Sequence, residues 1–387
     1  MSLTARRTEP VSILQRERPL RPDLLMVLSY LALSALGIVM VYTATAPALE
    51  LAGEDTASTM RRHAVFVLIG IVAFVVASLI DQRTVLGLTP VAYIGSIIAL
   101  GLVLTPLGTE FNGARRWVDV GPLPFQPSEF AKVAVILALA ALLGNGTAGK
   151  VRWDHIARSL ILVGLPAVLI FGQPDLGTML VFGFVAVAML FASGTTWRQL
   201  AFLVIAATVG AVGIFQAGAL REFQIQRLTA FLDPTEDLAA TALYNQIQSE
   251  IAIGSGGFFG KGLGQGTQTN LSFVPEQETD FIFTAVGEQL GFIGGAIVIG
   301  LFGVLIWRVL VSSVNGRDRF GQLLGVGVAA ILMFHVFVHI GMTMRLMPVT
   351  GLPLPFMSAG GTAFIAFSVA LGMAHSVWMR RSPVPGE

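Results

Sequence analysis

Ten separate stretches of this chain are apolar over roughly the length of a bilayer span, and that feature constrains its fold more than any other. They lie near residues 24–46, 63–80, 85–107, 127–144, 159–172, 176–194, 200–217, 281–307, 321–343 and 361–379. A spanning helix needs about 20 apolar residues, because in hydrocarbon each backbone N–H and C=O must be satisfied within the segment. The pattern predicts an all-α, polytopic membrane protein. One membrane domain is expected over residues 24–380, between a basic leader (1–23) and a short tail (381–387). The fifth stretch is short and the eighth long, so their edges are the least defined. Composition agrees: 12% of residues are charged, against about a quarter in soluble domains.

The first stretch follows Arg6, Arg7, Arg16, Arg18 and Arg21 and ends in Ala44-Thr45-Ala46, a sequence that resembles a signal-peptidase site. A signal peptide has an apolar region of only about 7–15 residues, so this 23-residue run is read as a retained helix. Ten spans put both termini on one side. With the N-terminus inside, inner segments carry 15 of the 24 Lys and Arg residues, the asymmetry expected of cytoplasmic loops. A net charge of +1 with no basic face gives no sign of nucleic acid as a partner; membrane lipids are the expected surroundings. The absence of cysteine excludes disulfides and thiolate metal sites.

This orientation gives the outer face four unusual segments: residues 108–126, the 173–177 turn, a large loop at about 218–280 between the seventh and eighth spans, and a Pro/Gly turn at 348–361. Connections as long as 218–280 are usually functional. Within it, residues 237–253 space their apolar positions like a helix lying on the membrane surface. The sequence GSGGFFGKGLGQGTQ (254–268) reads as flexible backbone with little core of its own. It is not a phosphate-binding loop: Gly262 follows Lys261 where that motif needs Ser or Thr, and no strand precedes it. No nucleotide is expected.

Four carboxylates, Glu276, Glu278, Asp280 and Glu288, fall within thirteen positions of a chain that has only 23 acids. Asp280 directly precedes an apolar run, with Thr284 and Glu288 at successive four-residue steps on roughly one helical side. A helix start needs at most one acid, and Glu276 and Glu278 already supply two, so Asp280 is the leading functional candidate. In the fourth span, Pro127 suits a first helical turn, and Glu129 and Lys132 are spaced to pair. Yet Lys132 lies inside an apolar span, where ionisable groups usually mark function, and an anion-holding role for Arg116 and Lys132 is the alternative. Asp175 follows Pro174 at another helix start, where it suits the helix dipole. His335 and His339, four apart, are either metal ligands on one helix face or neutral histidines hydrogen-bonded between helices.

Several motifs occur in order. They are Gly113-Ala114-x-Arg116-Trp117 with Phe125-Gln126-Pro127-Ser128-Glu129; Gln173-Pro174-Asp175-Leu176-Gly177-Thr178; and Phe231-Leu232-Asp233-Pro234. Then follow Gln248-Ser249 with Ala252-Ile253-Gly254-Ser255-Gly256-Gly257; Gly260-Lys261-Gly262; Gly266-Thr267-Gln268; and Thr279-Asp280-Phe281-Ile282-Phe283. The last is Pro348-Val349-Thr350-Gly351-Leu352-Pro353-Leu354-Pro355-Phe356 with Ser358, Gly360 and Gly361. Together they resemble the shape, elongation, division and sporulation (SEDS) glycosyltransferases over residues 24–380, the elongation (RodA) branch more than the division (FtsW) branch. The resemblance implies a peptidoglycan glycosyltransferase of the bacterial cytoplasmic membrane, polymerising lipid II at the outer face during elongation and shape maintenance. It implies Asp280 as the essential carboxylate, a general base or a holder of metal. It also implies substrate-binding positions at Arg116, Glu129, Lys132, Asp175, Gln268 and Ser358, support from a divalent cation (Mg or Mn), and a class B penicillin-binding transpeptidase as partner. The chain departs from the family pattern at Glu278 (often His), Gln289 (acidic), His339 (usually Asn), Arg345 (commonly small) and Ala359 (Tyr).

The chemistry suits scarce charges. An acceptor sugar hydroxyl is a poor nucleophile, and a carboxylate base speeds its attack by about 10²–10⁴. Pyrophosphate leaves readily and needs cations rather than an acid. A flippase for lipid-linked precursors is the competing class, and it would place ionisable groups along the middle of the membrane. A noncatalytic scaffold would leave the carboxylate–cation constellation unexplained. Because the chain lacks cysteine, its orientation is directly testable. Single cysteines at Gly113 and Thr267 should react with an impermeant thiol reagent in intact cells, and one at Gly146 should not. Labelling at Gly146 alone inverts the orientation.

Overall fold

A computed structural model describes residues 21–111, 114–120, 123–145, 151–218, 224–225 and 240–381. The leader up to residue 20, Gly113, Gly146, the 231–234 motif, the first three residues of the expected surface helix and the tail beyond 381 lie outside the described residues. Along the chain come α1 (Leu24–Leu51), α2 (Ser58–Leu79), α3 (Gln82–Val103), β1 (Gly108–Phe111), β2 (Ala114–Val120), β3 (Leu123–Phe125), α4 (Pro127–Gly144), α5 (Trp153–Gly172), α6 (Leu176–Ser193) and α7 (Trp197–Gln216). There follow α8 (Ala240–Gly256), α9 (Thr267–Asn270), α10 (Ile282–Val314), α11 (Arg319–Thr343) and α12 (Gly361–Met379). Ten of these helices, α1–α7 and α10–α12, are long and apolar enough to cross a membrane. The all-α, ten-span expectation holds.

Burial ranks the helices. The most apolar windows of α4 and α12 are 78% buried and that of α7 only 6%, so α4, α11 and α12 form the centre while α7 lies at the edge. Tyr30 of α1 ties into that centre: its hydroxyl shares a hydrogen bond with Ser368 of α12 at 2.9 Å, and its ring meets Phe356 edge-on. One end of the bundle is closed by charge. Asp23 caps α1 by accepting from Met26 N and pairs with Arg308 of α10 at 2.8 Å, and Arg380 lies 3.5 Å from Asp81. Under the proposed orientation this is the cytoplasmic end.

Three details differ from the sequence reading. Helix α5 begins at Trp153, about two turns before its apolar run, because residues 154–158, among them the polar Asp154, His155 and Arg158, are themselves helical, with Asp154 in the first turn. Residues 108–125 hold a small antiparallel sheet in the order β1-β2-β3, with Thr109 opposite Trp117 and Val118 opposite Phe125.

The third difference matters most: α10 is a broken helix, with Gly291 at φ 66° and ψ −163°. The glycine-rich segment after α8 fills the break and is ordered against it, contrary to the flexible reading. Lys261 N and Gly262 N donate to the carbonyls of Glu288 and Gln289, and Phe292 N and Ile293 N donate to the carbonyls of Gly257 and Phe258, at 2.9–3.2 Å. Backbone released by the break is thereby satisfied, as burial in a membrane protein demands. The close approach requires glycine. A Cβ on Gly256 would lie 2.0 Å from Gly287 O, and one on Gly260 (φ +82°) 2.2 Å from Gln289 O. Gly256→Ala and Gly260→Ala should each destabilise the protein by about 2 kcal/mol or more, in the range of buried steric clashes. Gly300→Ala, facing open space on the same helix, should be neutral or slightly stabilising. Thermal unfolding in one detergent compares them.

Candidate functional site

The Pro/Gly segment between α11 and α12 is where distant motifs meet. On one side the start of α6 packs against it: a Cβ on Gly177 would lie 2.8 Å from Thr350 O. On the other side is Asp280: a Cβ on Gly351 would lie 3.3 Å from its Oδ2, and Gly351 has φ +69°. Glycine here supplies both the left-handed backbone and the room for the carboxylate. Beyond the turn, Ala359 N donates to Glu278 O at 2.8 Å, which ties the segment to the stretch leading into α10.

Asp280 is partly exposed, two residues before Ile282 begins α10. Its N–H donates to Glu276 O at 2.9 Å. The other polar groups on its helical side have separate duties. Thr284 shares a 2.6 Å hydrogen bond with Ser249 of α8, which also donates to Thr343 O of α11. Glu288 is wholly buried. Its Oε1 accepts from Lys261 Nζ at 2.9 Å and Gln268 N at 2.8 Å, and its Oε2 accepts from Thr269 N and Thr269 Oγ1. It fixes the α8–α9 connection to α10. Glu278 is half-buried, and its carboxyl holds its proton more tightly than an ordinary Glu. Burial is the main cause and the neighbouring Glu276 charge adds to it, against a backbone hydrogen bond and Arg62.

Glu129 and Lys132 lie in the first two turns of α4, which starts with Pro127. They pair as their spacing predicts, at 2.8 Å, with side chains 3% and 1% exposed. Lys132 is thus enclosed, neutralised by Glu129 and bonded to His335 Nε2 at 3.2 Å. His335 Nδ1 faces Pro353 O at 3.1 Å, and His339 Nδ1 faces Leu352 O at 2.9 Å. His335 thus makes the expected hydrogen bond between helices, from α11 to Lys132 of α4, and both histidines also bond to the turn's backbone. Among the described residues no three His, Asp or Glu side chains converge as a metal site.

Arg116, on β2, is partly buried and donates from Nη2 to Pro174 O at 2.6 Å and from Nε to Gln173 O at 3.4 Å, so β2 is pinned to the start of α6. Asp175 caps that helix, with Oδ1 accepting from Thr178 N and Oδ2 from Thr178 Oγ1. Ser358 Oγ accepts from Leu354 N at 2.9 Å inside the turn. Gln268 gives its N–H to Glu288. The structure therefore gathers Arg116, Asp175, Asp280 and Ser358 around one turn and connects Glu129 and Lys132 to it from below, through His335. Sequence reasoning noted His335 as one of a histidine pair inside a membrane span and Gly351 as part of a motif, but joined neither to Lys132 or Asp280. The cap assignment of Asp175 is open to measurement. Asp175→Ala should cost about 1 kcal/mol in stability, while Asp175→Asn, also a good cap, should cost little.

Residues 23–382 match the family model that joins FtsW, RodA and SpoVE, described as cell cycle proteins. Peptidoglycan glycosyltransferase MrdB of Escherichia coli (strain K12) is 36% identical over 364 residues, 94% of each chain. Stage V sporulation protein E of Bacillus subtilis (strain 168) is 35% identical over 358 residues, covering 92% of this chain and 96% of that relative. Among solved structures, Thermus thermophilus rod shape determining protein RodA is similar at TM-score 0.68 and 30% identity, covering 94% of this chain and 99% of that one. A chain from a structural study of polymerization and crosslinking by a peptidoglycan synthase complex reaches TM-score 0.75 at 30% identity, covering 92% of this chain and 98% of that one. Motif order, ten spans and full-length similarity agree: the chain belongs to the FtsW/RodA/SpoVE, or SEDS, family.

Proposed function

We propose that this protein is a peptidoglycan glycosyltransferase that polymerises lipid II into glycan strands at the outer face of the bacterial cytoplasmic membrane, in cell elongation and shape maintenance. The observation that carries the reading is Asp280, a partly exposed carboxylate at the start of a membrane helix, with a glycine turn packed against it. The acceptor hydroxyl attacks the donor's anomeric carbon while Asp280 takes its proton, and the bond from that carbon to the polyprenyl pyrophosphate breaks. The new glycosidic bond replaces the old one, and the pyrophosphate keeps the electron pair. Arg116, pinned beside the start of α6, is the cation assigned to meet that anion.

Lys132 is buried in its ion pair, so its part is to support the site from below rather than to clamp phosphate at the surface. Glu129 and Lys132 occupy the outer turns of α4 and neutralise each other. That arrangement favours chemistry at the membrane surface over a charged path across it. Asp280 is a suitable oxygen donor for a divalent cation, since Mg²⁺ is commonly held by one or two carboxylates plus substrate phosphates. When bound, Mg²⁺ or Mn²⁺ would supply countercharge to the pyrophosphate. The similarity to a chain of a peptidoglycan synthase complex supports a class B penicillin-binding transpeptidase as partner.

Asp280→Asn keeps size and removes most basicity. Polymerisation of lipid II by the purified protein should fall by about 10²-fold or more, at matched monodispersity and partner content. Part of the loss should return with raised Mg²⁺ if the carboxylate holds metal, since concentration offsets weakened binding. Full activity in the variant would sink the assignment.

A further inference from the structure

The mechanism leaves one buried polar group without a duty. His335 is wholly enclosed in α11, packed edge-on against Phe367, with a backbone carbonyl on one ring nitrogen and an ammonium on the other. These partners fix its state. A carbonyl oxygen can only accept, so Nδ1 carries the proton and donates to Pro353 O. An ammonium can only donate, so Nε2 offers its lone pair to Lys132. A doubly protonated ring would set Nε2–H against the Lys132 ammonium, which the geometry disfavours.

His335 therefore joins two things by hydrogen bonds. Below it is the Glu129–Lys132 pair of α4, held at 2.8 Å. Above it is the turn whose Gly351 lies against Asp280 Oδ2. Pro353 is two residues from Gly351, and His339 holds the intervening Leu352 carbonyl at 2.9 Å. Movement of Pro353 toward or away from α11 must carry Gly351 with it, and with Gly351 the wall beside the carboxylate. We infer that His335 is a positioning residue for the reaction: it braces the 351–353 turn on the buried ion pair and so sets the placement of Asp280 relative to substrate. The inference rests on Asp280 as the reacting carboxylate. Lys132 acquires a role that its burial allows, as the group that holds the ring in the tautomer that donates to the turn.

A brace of this kind acts on turnover rather than on lipid II capture, because neither ring nitrogen points to the outer surface. The test uses the full-length chain in detergent, with the rate of glycan formation measured across lipid II concentration. His335→Phe keeps a flat ring against Phe367 and loses both hydrogen bonds. It should lower kcat by about 10- to 100-fold, the scale of ångström-level misplacement, with KM changed little. His335→Gln offers one acceptor and one donor at similar reach and should recover most of kcat. If the Phe variant fails to give monodisperse protein, His335→Asn decides, because its shorter amide can keep only one of the two partners. Its kcat should then fall clearly below that of the Gln variant.

Wild-type kcat in the folded Phe variant, or in the Asn variant when that one decides, overturns the brace. So does equal loss in folded Phe and Gln variants, or an effect confined to KM. Wild-type protein that forms no glycan, alone or with a transpeptidase partner, overturns the glycosyltransferase reading itself and the brace with it. The two failures are thus distinct.

Discussion

A non-helical segment buried at the end of a membrane bundle survives only if the rest of the chain satisfies its backbone. Residues 350–359 are such a segment, and their hydrogen bonds determine where the site residues stand. The carbonyls of Leu352 and Pro353 are taken by two histidines of α11, Leu354 N by Ser358 Oγ, and Ala359 N by Glu278 O. Each bond removes a desolvation cost of about 1–3 kcal/mol that an unpaired buried group would carry. Two of them fix the turn to α11, one to the stretch before α10, and one closes the turn on itself. The approach to α10 is tied to the turn by one of these bonds, and the start of α6 packs against it where Gly177 meets Thr350. Ser358 and His339 are explained as structural members of this arrangement before any substrate is considered.

The break in α10 follows the same rule from the other side of Asp280. Hydrogen bonding along a helix would have continued through residue 291, but the chain gives up one turn of it to admit the glycine segment. Glu288 then closes the insertion. As a wholly buried carboxylate it would be costly alone, and removing one partner of a buried pair commonly costs about 3–5 kcal/mol. With Lys261, Thr267, Thr269 and the Gln268 N–H around it, it instead locks the α8–α9 connection onto the membrane helix. The first nine residues of α10, starting just after Asp280, are thereby held at both ends: by the Pro/Gly turn at the start and by the glycine segment at the break. A carboxylate on a helix start so constrained needs little reorganisation to act, which is the condition for effective general-base catalysis.

Much of this was legible in the sequence. Hydropathy gave the ten spans, because length and apolarity are local properties, and i,i+3 spacing gave the Glu129–Lys132 pair. Helix-start logic placed Asp175 as a cap and singled out Asp280. What failed to show was set by long-range geometry. The break at Gly291 is not marked by averaged hydropathy, which registers Glu288 and Gln289 only as two polar residues in a long apolar segment; only Gly-rich sequence on both sides of the contact hinted at close approach. The hydrogen bond from Lys132 to His335 joins positions 203 residues apart. The 108–125 sheet combines short strands with turn residues, and it has too little period-2 repeat to stand out. Two departures from the family pattern become intelligible once geometry is known. Gln289 keeps an acceptor for Gly264 N at 2.9 Å, which is what an acid there would also supply. Arg345 has φ +58°, a backbone state that small residues tolerate best, and its charge reaches Glu250 at 3.6 Å.

The departure at Glu278 bears most directly on chemistry. A third full negative charge beside Glu276 and Asp280 would repel the pyrophosphate that the reaction requires nearby, and in water at 4 Å each such repulsion is about 1 kcal/mol, more where water is scarce. Burial raises the proton affinity of Glu278, and the Glu276 charge raises it further. The sign follows: Glu278 keeps its proton to a higher pH than a free Glu would, and its charge develops later as pH rises. The histidine that many family members carry at this position also changes charge with pH and is never negative. The direction of the Glu278 shift, toward later ionisation, is the one that brings this position nearer to a residue that carries no negative charge.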